Sequence, residues 1–216
     1  MFKVIEKFIT DDLWNKLRRV YPKVNDKRLA KRDDYTPIRS DDINFKGWEA
    51  FNEMINSKEY FDFVSDFLGT TNFKIVPYFQ MYHGTSNNLR PHIDTGTKIG
   101  AHLFYFNKTN IGGELEIYNG RFVYNKKHQN DLLYKETKLP INTTMEIPEF
   151  GFFEDLTKEK SIKINGNKSI IFKNTPNAIH GVAKIKKNEI RKVLLVTFKV
   201  NDEKQGLVKD EFKIEG

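Results

Sequence analysis

Three residues of this 216-residue chain are our candidates to hold one metal ion together: His92, Asp94 and His180. His92 and Asp94 stand two positions apart, and on extended backbone such side chains point the same way. The pair therefore predicts two ligands of one metal site, and His180, just after a Pro-containing turn, is our candidate for the third. Two histidines and one carboxylate with open positions are the geometry in which proteins hold non-heme Fe(II).

The composition limits the chemistry and the location that this protein can have. The chain has no cysteine, which excludes disulfides, thiolate metal sites and cysteine nucleophiles. No stretch reaches the roughly 18 uncharged apolar residues of a membrane span, so we expect no membrane insertion and a cytoplasmic protein. The net charge of +7 is scattered among acidic residues, which favours a solvated surface over a nucleic-acid face.

Helical signals come first along the chain. Thr10 is the predicted N-cap of a first helix that ends by Pro22. A second helix is predicted around Trp48, and a third between Ser57 and Gly69. These three helices are expected to pack against a sheet.

Runs rich in β-branched and aromatic residues follow, separated by Gly, Asn and Pro. The predicted strands are 73–83, 99–107, 114–118, 169–173 and 192–200. The sequence therefore predicts a mainly β protein with N-terminal helices.

We expect a single domain, because nothing in the chain repeats at a fixed period and no low-complexity tract divides it. Residues 1–70 are predicted to be helical support, with a lid loop from Asn25 to Asp42. Residues 71–200 form the predicted β core, with an insertion at about 120–160, and 201–216 form a C-terminal tail. We expect substrate contacts in the lid loop and in the insertion, the two segments without a clear hydrophobic period.

Arg191 opens the last apolar strand, which is an unusual place for a charge. An unpaired buried guanidinium costs several kcal/mol, so an interior Arg191 would need an anionic partner. The alternative is that its side chain reaches solvent or Glu189 at the end of the strand.

Taken in order, these elements resemble the Fe(II)- and 2-oxoglutarate-dependent oxygenases, specifically their prolyl 4-hydroxylase-like branch. The similarity spans roughly residues 73–200. The matching elements are Tyr82-x-Gly84, His92-x-Asp94, Leu103–Asn107, Gly112–Leu115, Ile170–Phe172, His180 and Arg191.

The resemblance implies a double-stranded β-helix, which is a jelly-roll or cupin-like barrel of two facing sheets. It implies that His92, Asp94 and His180 bind Fe(II). It also implies a reaction that consumes O2 and 2-oxoglutarate, releases succinate and CO2, and hydroxylates a C–H bond of a prolyl or other amino-acid residue.

In that family the far carboxylate of 2-oxoglutarate meets a basic residue on a late core strand, and Arg191 matches that position. Lys192 is the alternative anchor, although alternation along the strand favours Arg191 as the inward side chain. The resemblance makes Tyr105 a second contact to this carboxylate. Tyr82 either lines the pocket or is an ordinary core residue.

Period-two alternation also separates the remaining histidines from the metal site. If Tyr105 faces the barrel interior, His102 faces the other side of its strand. We interpret His83 as a strand-end residue and His128 as part of the exposed insertion.

Two other functions are compatible with the same residues. One is a jelly-roll module that binds metal without catalysis, and the other is an oxidative dealkylase acting on a nucleic-acid base. For the oxygenase, we expect a peptide or a small molecule as substrate and rank nucleic acid behind both. The sequence does not predict an oligomeric state.

Overall fold

The computed structural model describes residues 2–23, 38–40, 45–83, 89–94, 98–124, 151–175 and 177–200. The helices are α1 (Asp11–Arg19), α2 (Glu49–Ile55) and α3 (Lys58–Leu68). The strands are β1 (Phe2–Glu6), β2 (Ile38–Ser40), β3 (Phe73–His83), β4 (Leu89–His92), β5 (Lys98–Tyr105), β6 (Leu115–Tyr124), β7 (Gly151–Ile162), β8 (Lys168–Lys173), β9 (His180–Val182) and β10 (Ile190–Val200).

These strands form two antiparallel sheets. The larger has six strands in the order β1-β8-β5-β10-β3-β2, and the smaller has four in the order β4-β9-β6-β7. Consecutive strands alternate between the sheets through much of the core, as in a jelly roll. The predicted double-stranded β-helix with helices on its N-terminal side is confirmed.

The helices begin and end where the sequence predicts, because their caps are local. The Thr10 hydroxyl accepts a hydrogen bond from the Leu13 amide, and Ser57 does the same for Tyr60. Gly69 ends α3 in the left-handed conformation, with φ 75°. Among the described residues, no helix is both long enough and apolar enough to cross a bilayer.

Alternation along β10 divides the apolar residues between two cores. Leu194, Val196 and Phe198 pack with the helices on the outer face of the large sheet. Val193 and Leu195 pack between the two sheets. The predicted alternation along this strand, with Val193 and Leu195 facing the barrel interior, is therefore confirmed.

The structure adds strands to two of the predicted segments. Residues 2–6 form a strand paired with β8, so the segment 1–70 is not purely helical support. The predicted insertion at about 120–160 begins and ends in strand, because β6 runs to Tyr124 and β7 begins at Gly151, and the two strands pair. Bulges make the alternation of these two strands hard to recognise, since their pairing register shifts twice.

The predicted lid loop from Asn25 to Asp42 lies largely outside the described residues. Within it, Ile38–Ser40 forms β2 and pairs with β3 at the edge of the large sheet. The tail 201–216 and His128 also lie outside the described residues, whereas His83 ends β3 as expected.

Candidate functional site

Strand pairing brings the two candidate histidines together. β4 and β9 are adjacent and antiparallel, and His92 lies directly opposite His180 in their register. The two imidazole rings are 4.3 Å apart between centroids. Asp94 follows β4 by two residues, so the sequence spacing places its carboxylate on the same side.

The structure joins all three predicted ligands in one buried cluster. One ligand atom from each of His92, Asp94 and His180 lies within 4.8 Å of the others. Their exposed fractions are 6–7%. The His180 Nε2 atom is 3.9 Å from Asp94 Oδ2.

The protonation states of the cluster suit a metal ion. Burial lowers the pKa of His180 to about 3, so its imidazole is neutral at pH 7. The His180 Nδ1 atom is 2.9 Å from the Ala178 carbonyl oxygen, which accepts a hydrogen bond from the Nδ1–H tautomer and leaves Nε2 free to bind. Burial raises the pKa of Asp94, but the Lys98 ammonium and the two imidazoles outweigh it and hold the pKa at about 2.

Two imidazoles beside an ionised carboxylate are the donor set of the 2-His-1-carboxylate triad. The residues present therefore fit a divalent metal, and the set is suited to Fe(II) with positions left for other ligands.

Arg191 lies inside the barrel with an exposed fraction of 1%. Its Nε donates to the Gly113 carbonyl at 3.0 Å, and its Nη2 donates to the Tyr105 hydroxyl at 3.4 Å. The guanidinium also lies 5.2 Å from the ring centroids of Tyr82 and Tyr105. Among the described residues it has no carboxylate partner, which makes it a ready site for an anion.

Local backbone contacts hold Arg191 in this position. The Asn107 amide donates to the Ile190 carbonyl and accepts from the Lys192 amide, both at 2.8 Å, so it fixes the chain on either side of Arg191. Lys192 points the other way and lies 5.6 Å from the Tyr21 ring. The structure thus separates the two candidate anchors: Arg191 points between the two sheets, and Lys192 points to the helix-facing side of the large sheet.

The three-residue cluster and Arg191 line one cavity of about 200 Å³ between the sheets. This is smaller than the roughly 300–1,000 Å³ of pockets for drug-sized ligands, so it suits a small acid. The cavity contains the predicted Tyr82, His92, Asp94, His180 and Arg191. Tyr105 reaches the site through its contact with Arg191 and has no exposed surface.

Three polar lining residues were missed by reading the sequence: Tyr78, Gln80 and Lys98. Tyr78 and Gln80 share a face of β3 with Tyr82, so period-two alternation counted back from Tyr82 would have found them. Alternation counted back from Tyr105 places Lys98 on the wrong side, because a bulge intervenes.

His102 is not part of the cluster, as predicted. It is fully buried on the helix-facing side of β5, where its Nδ1 atom is 3.1 Å from the Tyr60 hydroxyl. Burial lowers the pKa of His102 to about 3.

No family model matches the sequence, and a search of curated proteins finds no match. Solved structures do match. A prolyl 4-hydroxylase from Pseudomonas putida has 12% identity and a TM-score of 0.55, covering 93% of each chain. A prolyl hydroxylase from Trichoplax adhaerens, in complex with a peptide fragment of hypoxia inducible factor, has 15% identity and a TM-score of 0.55 over 94% of this chain and 84% of that one.

HygX from Streptomyces hygroscopicus, with nickel and 2-oxoglutarate bound, has 12% identity and a TM-score of 0.55 over 93% of this chain and 83% of that one. The chain therefore has the fold of prolyl 4-hydroxylases and other 2-oxoglutarate-dependent Fe(II) oxygenases. The fold expected from the sequence resemblance is confirmed.

Proposed function

We propose that this protein is an Fe(II)- and 2-oxoglutarate-dependent dioxygenase that hydroxylates a C–H bond and releases succinate and CO2. The observation that carries the proposal is one small cavity holding both a His92–Asp94–His180 cluster and a buried arginine without an acidic partner among the described residues. Solved structures with this fold include one with nickel and 2-oxoglutarate bound.

In this proposal His92, Asp94 and His180 hold the iron, and Arg191 with Tyr105 holds the far carboxylate of 2-oxoglutarate. Burial raises the pKa of the Tyr105 hydroxyl despite the nearby guanidinium, so it stays protonated and can donate to that carboxylate. Tyr82 packs against Arg191 and lines the same cavity. The bound iron supplies the oxidation, while these residues orient its ligands and exclude water.

The proposed substrate is a prolyl or other amino-acid residue of a peptide, with a free amino acid or another small molecule close behind. The complex of the Trichoplax hydroxylase with a peptide fragment supports the first choice. We also propose that residues 1–216 form a single domain, because one apolar cluster packs the three helices against the large sheet.

The first test is spectroscopic and anaerobic. Adding Fe(II) and 2-oxoglutarate to the protein should produce a visible charge-transfer band. His92→Ala and Asp94→Ala should abolish both the band and succinate release, whereas Asp66→Asn, an exposed acid on α3, should change neither.

Arg191→Met separates the co-substrate site from the metal site. It should weaken 2-oxoglutarate binding by at least about 30-fold, because it removes a buried charge partner, and leave Fe(II) affinity unchanged. Arg19→Met, at an exposed position of α1, is the control. The proposal would be contradicted if His92→Ala and Asp94→Ala both still release succinate. It would also be contradicted if Arg191→Met binds 2-oxoglutarate with the wild-type affinity.

A further inference from the structure

A second cation, Lys98, is largely buried and points into the cavity because of a β-bulge. Pairing between β5 and β10 skips Ile99, so that Lys98 lies opposite Lys199. Without the extra residue, alternation would send Lys98 to the helix side together with His102 and Phe104. The bulge instead turns the Lys98 ammonium toward the cavity and the three candidate metal ligands, and bulges beside active sites often redirect a side chain in this way.

Lys98 lies next to one metal ligand. Its Nζ is 2.7 Å from Asp94 Oδ2, and the two side chains are only 13% and 9% exposed. The same oxygen is the one 3.9 Å from His180 Nε2, so it faces the rest of the cluster. A metal ion bound by Asp94 would therefore share this carboxylate with the ammonium.

The charges that line the cavity do not balance once it is loaded. Lys98 and Arg191 are cationic, and Asp94 is the one acidic residue among the described lining residues. A ferrous ion and a 2-oxoglutarate dianion add equal and opposite charges, so one positive charge remains. A cation this buried is costly without a full anionic partner.

The two cations enter the cavity from opposite ends of the large sheet. Arg191 stands at the start of β10, whereas Lys98 lies opposite Lys199 near its end. If Arg191 holds the far carboxylate of 2-oxoglutarate, Lys98 lies at the other end of the cavity beside the metal ligands, where the remaining positive charge favours a further anion.

Resting on the proposed function, we propose that Lys98 binds a carboxylate of the substrate. The substrate class is then a carboxylic acid whose oxidised C–H bond lies close to its acid group, such as a free amino acid or the C-terminal residue of a peptide.

The test measures binding without turnover. Under anaerobic conditions, the protein loaded with Fe(II) and 2-oxoglutarate is titrated with free L-amino acids, their carboxamides, and tripeptides ending in proline in free-acid and amidated forms. Perturbation of the visible band reports binding. We expect at least one acid to bind at least about 30-fold more tightly than its amide, and the free and peptide arms identify the source of the carboxylate.

Variants of Lys98 then locate the preference. Lys98→Met should abolish the difference between acid and amide, Lys98→Arg should retain it, and Lys108→Met, at an exposed position, should behave as wild type. Lys98→Met should also tighten Fe(II) binding to the protein without co-substrate, because a repelling charge is removed. Chelator competition measures this affinity independently of activity.

The outcomes separate the two proposals. Absence of a 2-oxoglutarate-dependent band in the wild type overturns the proposed function. A normal band that responds equally to acids and amides, or to neither, overturns the role of Lys98 alone. A preference for acids that survives in Lys98→Met also overturns it, and leaves Lys98 as a partner of Asp94 only.

Discussion

At the scale of single residues, burial has opposite uses for two histidines. His180 is kept neutral beside Asp94, where a free imidazole nitrogen can bind metal. His102 is kept neutral among aromatic rings, with Phe8 4.8 Å and Phe104 4.0 Å away between centroids. The neutral state serves ligand binding in the first case and core packing in the second.

His102 should make folding stability depend on pH. Its folded pKa is about 3, below the roughly 6.5 of an unfolded chain. Between these values the unfolded state binds a proton that the folded state does not, so stability is lost as pH falls below about 6.5. His102→Gln should reduce this slope by up to one proton, which is about 1.4 kcal/mol per pH unit.

Urea unfolding of the metal-free protein at pH 7.5, 6 and 5 measures the effect. The contribution of His180 is common to both proteins and cancels in the difference. Equal pH slopes for wild type and His102→Gln would show that His102 binds its proton equally well in the folded and the unfolded protein, which contradicts the lowered pKa.

At the scale of elements, the turn before β6 shapes the anion site. Gly113 has φ 67°, and a Cβ there would lie 3.1 Å from Arg191 Cδ and 2.9 Å from Ile185 Cγ1. The Gly113 carbonyl also accepts the Arg191 Nε–H. The missing side chain therefore makes room for the arginine, and the backbone orients it.

Gly113→Ala should lower both stability and 2-oxoglutarate affinity, because the methyl group displaces the Arg191 stem. Gly69→Ala is a matched control, since its φ is 75° and a Cβ there meets no described residue within 4 Å. Both variants should lose about 1–2 kcal/mol from the left-handed backbone. Thermal unfolding and 2-oxoglutarate titration check this, and equal affinities in the two variants would contradict the role of Gly113.

At the scale of the whole molecule, the large sheet separates a structural core from a functional one. One apolar cluster lies between this sheet and the helices, and the other lies between the two sheets beside the cavity. Leu194 and Leu195 are neighbours on β10 that face these two sides, with exposed fractions of 0% and 6%.

Leu194→Ala and Leu195→Ala test this division with the same chemical change. Leu194→Ala should cost stability in the upper part of the roughly 2–5 kcal/mol range and leave 2-oxoglutarate affinity unchanged. Leu195→Ala should cost less, because its side chain already borders open space, but should alter the affinity. Urea unfolding and ligand titration measure both, and equal effects on affinity would argue against separate cores.

The sequence by itself determined the features that depend on near neighbours. The helix ends are set by contacts within four residues, made by the caps Thr10, Ser57 and Gly69. Alternation was enough to place Arg191 inside and His102 outside, because side-chain direction on a regular strand has a period of two. The ordered motifs predicted the fold and the three residues of the cluster.

Only the tertiary structure decided what depends on distant pairing. β1, β4 and β9 are short, and they are strands because a neighbour remote in the sequence supplies their hydrogen bonds. The distance between His92 and His180 follows from that register. Lys98 reaches the cavity only because Ile99 is skipped between β5 and β10, and a bulge is a property of two paired strands rather than of either sequence alone.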